Sequence, residues 1–181
     1  MKPTVPEDTA VSGSGSPGQR SRLVTWDDPA PGVAASRALS GVEYLRAMAD
    51  GRLPAPPIGR LMALEFVSVE EGRVVFAAVP AEYHYNPIGV VHAGLAATLL
   101  DSAMGCAVHS TLPAGAGYTT LELHVNLVRA ITVETGRVRS EGAVLHRGGT
   151  VATAEARLVA EATGKLLAHG TSTCLVLPGR A

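Results

Sequence analysis

One stretch, Asn86 to His109, limits what this chain can fold into more than any other. It opens as a tight turn and runs into an apolar helix. Ala93, Ala96, Ala97, Leu100, Met104 and Ala107 recur at helical spacing, and Thr98, Asp101, Ser102, Gly105 and His109 fall on another face. Histidines aside, Asp101 is the only charged residue between Glu82 and Glu122. A lone carboxylate in an apolar helix is unfavourable unless something pairs with it or uses it. His92 stands nine residues earlier, where the helix begins. Ala93 and Gly94 follow it, and neither has a side chain that can cap. The first backbone N–H groups are therefore expected to be open to a ligand oxygen, where the helix dipole favours negative charge. An acid and an oxyanion site on one helix form the most functional pairing in the sequence.

The rest of the composition narrows the class. At 181 residues the chain has room for one domain, or one domain with a tail. A net charge of -1 and a pI of about 6.6 give no sign of a nucleic acid or an anionic membrane as partner. The hydrophobic fraction of 46% supports a substantial core. Cys106 and Cys174 make no disulfide framework and read as buried free thiols. The N-terminus has no apolar segment of signal-peptide type, and the helix around Leu100 is too short and too polar to span a bilayer. A reducing cytoplasm is the expected location.

Residues 1–38, rich in Pro, Gly, Ser and Thr, read as a disordered or loosely attached tail, with Trp26 as a candidate anchor. The spacing of Gly13, Gly15 and Gly18 matches a dinucleotide-binding loop but lacks the strand and helix that such a loop needs. The folded domain is expected over residues 39–177. Ser40 and Glu43 form a capping box for a helix that Gly51 ends, and Pro54, Pro56 and Pro57 enforce an extended linker. Strands are expected over 61–69, 73–79, 119–129, 133–145, 150–161 and 165–177. Along 119–129, Leu121, Leu123, Val125 and Leu127 alternate with Thr120, Glu122, His124 and Asn126. Short turns between strands imply antiparallel pairing, and one long apolar helix against such a sheet is an α+β architecture.

At these residues the chain resembles the hotdog-fold thioesterases, specifically the PaaI-like acyl-CoA thioesterases of phenylacetate-degradation type. The resemblance rests on Asn86, Gly89, His92-Ala93-Gly94 and Asp101. It continues through Thr120, Glu122 and Asn126, His146-Arg147-Gly148 and Gly164 to Ala168. It implies a hotdog fold, a long central helix wrapped by an antiparallel sheet of five to six strands, covering residues 41 to 177. The implied chemistry is hydrolysis of an aromatic or medium-chain acyl-CoA without cofactor. Asp101 would attack the thioester or activate water, and the N–H of Ala93, with that of Gly94, would polarise the carbonyl. Asn86 and His92 would orient the turn, Thr120 would hold the water or the acid, and Thr119 beside it is the alternative. Gly89, Thr119, Arg129 and Arg147 would contact substrate, the arginines through CoA phosphates. Ala93 departs from the family's usual glycine but keeps the N–H. In similar enzymes the helix start and the acid of one site come from two subunits, so a homodimer assembling into a homotetramer is expected.

Two other readings stand beside this one. A hydratase or dehydratase would need its Asp and His five residues apart, against nine here. A non-catalytic module binding acyl-CoA or an aromatic ligand would use the same pocket, with Asp101 a structural acid. His84, His109, His124, His146 and His169 show no metal-ligand spacing, and no metal is expected. Gly170 to Cys174 misses a nucleophile elbow because Cys174 stands where the last glycine belongs.

Overall fold

The computed structural model describes residues 18–179. Three short helices come first: α1 (Ala30–Ala35), α2 (Gly41–Ala49) and α3 (Pro57–Leu61). Strands β1 (Glu65–Glu70) and β2 (Arg73–Ala78) lead through a 3₁₀ turn at Glu82–His84 to the long helix α4 (Ala93–Ser110). Strands β3 (Gly117–Leu127), β4 (Val138–Arg147), β5 (Val151–Ala160) and β6 (Leu166–Leu177) complete the chain. All six strands join one antiparallel sheet in the order β1-β2-β4-β5-β6-β3. This is the expected α+β hotdog arrangement, and the sheet wraps α4.

The core lies between α4 and the sheet. Leu95, Leu99, Leu100, Met104 and Val108 pack against Val74, Val138, Ala154, Leu158 and Cys174, all at most 1% exposed. Gly142 makes this fit possible, because a Cβ there would run into the backbone of Ala103 and Met104. The small residues of α4 and β5 thus reflect a close helix-to-sheet approach.

Several sequence expectations shift. Pro57 starts α3 instead of extending the linker, since proline suits the first helical position. Val133–Thr135 is a 3₁₀ turn rather than strand, and Gly136, at φ +68°, separates it from β4. Ser40 and Glu43 pair at the start of α2 as expected: Glu43 accepts from the Ser40 N–H at 3.0 Å and from the Ser40 hydroxyl at 2.6 Å. Of the 1–38 segment, residues 1–17, with Gly13 and Gly15, lie outside the described residues. Arg20 and Arg22 tie the described part of this segment to Glu82, Arg60, Leu61 and Tyr83. Trp26 is 59% exposed, and the polar contacts of this segment with the domain come from Arg20 and Arg22.

The largest correction concerns β3. A β-bulge between Thr120 and Glu122 breaks the simple alternation. Thr120 pairs with Cys174, and Leu123 pairs with Ser172, both buried inward-facing residues of β6. Thr120 therefore shares the helix-facing side with Leu123, Val125 and Leu127 instead of opposing them. As β3 is an edge strand, Leu121, Leu123 and Leu127 remain 59%, 38% and 56% exposed.

Candidate active site

The predicted site residues fall into two groups. The first surrounds the start of α4. The Asn86 side-chain oxygen accepts from the N–H of Ile88 at 3.1 Å and of Val90 at 3.3 Å, and its carbonyl accepts from Gly89. Gly89 sits at φ +81°, a conformation that glycine adopts readily. The turn is tied at both ends: Val91 N–H donates to the Ile131 carbonyl, and His92 N–H to the His84 carbonyl, each at 2.8 Å.

His92 then does something its residue type did not signal. Its Nδ1 accepts the Gly94 N–H at 2.8 Å, so the imidazole itself caps α4. This corrects the expectation that both early N–H groups are open. Gly94 is engaged, whereas the Ala93 N–H has no partner among the described residues. With Nδ1 accepting, the neutral ring carries its proton on Nε2, a second donor at the exposed helix start. A groove of about 250 Å³ opens here. Asn86, His92, Ala93 and Ala96 form one wall, and the segment from Leu127 to Ile131, including Arg129, forms the other. Arg129 also donates to the Leu166 carbonyl at 2.6 Å. Only Arg129 of this second wall stood out in the sequence; Leu127, Val128 and Ile131 come from a distant stretch with no motif of their own.

The second group surrounds Asp101. Thr120 Oγ1 donates to the half-buried carboxylate at 3.1 Å, its one hydrogen-bond partner among the described residues. The bulge thus decides between neighbours: Thr120 meets Asp101, and Thr119 is exposed on the opposite face. Cys106 lies little more than a turn beyond Asp101. Burial, and secondarily the Asp101 charge, push its thiol up to about 12, so it is no nucleophile at neutral pH. Cys174 is buried and free. Arg147 shares a cross-strand row with Ala152, Cys174 and Thr120. Three strand spacings, about 14 Å, separate it from Thr120.

One protomer does not unite the two groups. Nine residues of helix between His92 and Asp101 are about 13 Å and two and a half turns, so the side chains leave opposite sides of α4.

Comparison with known proteins shows the family of the chain. The family model of the thioesterase superfamily matches residues 88–167. Human acyl-coenzyme A thioesterase 13 is 30% identical over 131 residues, covering 72% of this chain and 90% of the human protein. The chain belongs to the thioesterase superfamily. Among solved structures, the phenylacetic acid degradation-related protein of Ralstonia eutropha is 27% identical with a TM-score of 0.65, covering 72% of this chain and 97% of that one. A thioesterase family protein of Silicibacter pomeroyi is 26% identical at a TM-score of 0.65, covering 77% and 98%. The PaaI protein of E. coli, 18% identical at a TM-score of 0.66 over 78% of this chain and 97% of that one, shares the fold.

As a thioester hydrolase, the thioesterase needs a donor for the carbonyl oxygen and an acid that attacks or activates water. An open N–H at Ala93 and a carboxylate at Asp101, oriented by Thr120, are groups of those two types. Among the described residues no cluster of His, Cys, Asp and Glu is arranged to hold a metal ion, and no helix is long and apolar enough to cross a membrane.

Proposed function

We propose that the protein hydrolyses an acyl-CoA to free acid and CoA, in a site composed from two copies of the chain. The observation that carries this reading is the edge strand β3. It leaves a row of backbone N–H and C=O groups unpaired and exposes Leu121, Leu123, Leu127 and Val128. A long apolar edge strand is a template for another strand. Under two-fold symmetry, β3 pairs antiparallel with its own copy. Pairing centred near His124, with the bulge at Leu121 taking up one residue, sets Thr120 of one protomer opposite Leu127 of the other, beside Val128. Val128 lines the helix-start groove and Thr120 holds Asp101. The two groups, separate within one chain, then converge across the interface.

In that composite site the Ala93 N–H, aided by the helix dipole, donates to the thioester oxygen as negative charge develops on it. Asp101 of the other protomer attacks the carbonyl carbon or takes a proton from the attacking water, with Thr120 fixing the carboxylate. The CoA thiolate leaves: where Asp101 has taken the proton of the attacking water it passes that proton to the thiolate, and where Asp101 has attacked, water hydrolyses the resulting mixed anhydride to the free acid and supplies the proton. Asn86 and Gly89 hold the turn, and Arg129 at the groove mouth faces the CoA phosphates. Arg147, exposed at the Thr120 end of the sheet, serves the same anion from the other side. An aromatic or medium-chain acyl group fits an apolar groove of this size, and the relatives' names point to phenylacetate-type and acyl-CoA substrates.

Thiol release from a panel of acyl-CoAs, wild type against Asp101→Ala, tests the reading. Turnover of aromatic or medium-chain acyl-CoA that falls at least a hundredfold in the variant is expected, roughly 2.7 kcal/mol or more of transition-state stabilisation. No release from any acyl-CoA by folded wild-type protein would overturn it in favour of a binding module.

A further inference from the structure

The segment ahead of α1 is bound to the turn that precedes the candidate site. Arg22 donates from one guanidinium nitrogen to the Leu61 carbonyl at 3.0 Å and from the other to the Arg60 carbonyl at 3.1 Å. Its guanidinium carbon lies 4.0 Å from the centre of the Tyr83 ring. Two carbonyls in the plane and one aromatic face are what a planar guanidinium can serve together and an ammonium cannot. Arg20 adds a 2.8 Å ion pair to Glu82 in the same turn.

From there a chain of contacts leads to α4. The Tyr83 and His84 rings stand 4.3 Å apart. His84 is buried, and its Nδ1 accepts the Ala81 N–H at 3.0 Å. Its carbonyl accepts the His92 N–H at 2.8 Å, and His92 in turn caps Gly94 at 2.8 Å. The conformation of His92 decides where the open Ala93 N–H points. We propose that Arg22 is a positioning residue for the oxyanion donor. By clamping the end of α3 to the Tyr83 ring, it holds the 82–84 turn whose last carbonyl fixes His92. The proposal rests on the reading of Ala93 as that donor and places the N-terminal segment in service of the chemical step.

The test compares Arg22→Ala, Arg22→Lys and wild type in the full-length chain, by steady-state thiol release and by amide hydrogen exchange. Arg22→Ala is expected to lower kcat about three- to tenfold with KM little changed, because a misaimed donor weakens the transition state more than binding. Exchange in peptides spanning 82–94 should quicken while peptides from the second half of α4 stay protected. Arg22→Lys should resemble Arg22→Ala. A raised KM with unchanged kcat would mean that Arg22 touches substrate, and full rescue by Lys would mean that only its charge matters; either overturns the proposal, as do unchanged kcat and exchange. If Arg22→Ala loosens the whole chain, Tyr83→Leu decides, since it removes the ring and leaves the Arg22 bonds to α3. The same local exchange and kcat loss supports the linkage, and wild-type behaviour refutes it. The exchange measurement does not depend on turnover, so absent wild-type activity would sink the catalytic reading while leaving the link from Arg22 to His92 separately testable.

Discussion

The Asp101 carboxylate has one hydrogen bond among the described residues, from Thr120, and an oxygen left to act. A hydrogen bond to a charged group is worth about 1.5–3 kcal/mol, more than an ordinary one. Thr120→Val keeps the shape and removes that bond. It should lower kcat about tenfold, or about 1.4 kcal/mol, measured by thiol release with structure checked by circular dichroism. Unchanged kcat would make Thr120 an ordinary strand residue. His84 answers to pH. Burial first, and the Arg22 charge second, hold its imidazole below the usual 6.5, against a smaller opposing pull from the Met62 carbonyl. As pH falls through about 6.5, the unfolded chain takes up this proton before the folded one does. The stability tied to neutral His84 is thus complete above that value and is lost as pH drops towards the lower folded value. His109, also depressed by burial, adds to the same acid-side loss. Melting temperature should decline as pH falls below about 6.5. His84→Asn, which keeps an acceptor for the Ala81 N–H, should decline less steeply.

At the scale of elements, α4 offers the proposed oxyanion donor as a consequence of being a helix: its first N–H groups have no intrahelical partner. His92 uses one of them and leaves that of Ala93. Ala93→Pro is therefore a selective deletion. Proline is favoured at the first helical position, and His92, at φ -62° and ψ 139°, already has the extended backbone that a following proline requires. The variant should fold with a melting temperature close to wild type and lose kcat about a hundredfold or more, in the range seen when one oxyanion donor is removed. Retained activity would move the oxyanion site elsewhere.

The elements also mark the limits of reading a sequence. The extent of α4, most of the strands and the glycine turns were legible because each rests on a local pattern: 3.6-residue spacing, alternation, or a turn residue. So were Asn86, Gly89 and Asp101 as residues of interest, through the motif. The bulge at Leu121 was not, because apolar and polar residues continue to alternate across it, and only the register with β6 shows the change of face. That slip hid the pairing of Thr120 with Asp101 on the side of Leu123. The 3₁₀ turn at Val133–Thr135 has a strand-like composition and is decided by Gly136 and by the Tyr85 hydroxyl, which accepts from Val133 N–H at 3.1 Å. The His92 cap was missed because histidine is not among the usual capping residues. The grip of Arg22 links stretches about 40 and 60 residues apart, which no local pattern reports.

At the scale of the whole molecule, the proposed site draws its two groups from two copies of the chain. Each copy carries the start of α4 near one end of β3 and Asp101 near the other, with an exposed apolar edge between them. Pairing of two β3 strands would cover that edge and complete two equivalent sites. The most direct test mixes the two dead variants. Asp101→Ala lacks the acid and Ala93→Pro lacks the donor, so each alone should be inactive in thiol release. Co-expressed in equal amounts, half of the dimers are mixed, and each mixed dimer holds one site with both groups intact. The account predicts recovery to roughly a quarter of wild-type activity, which is what a two-fold arrangement of shared sites requires. Mixed dimers, verified by mass spectrometry, that remain inactive would contradict it and place acid and donor within a single chain.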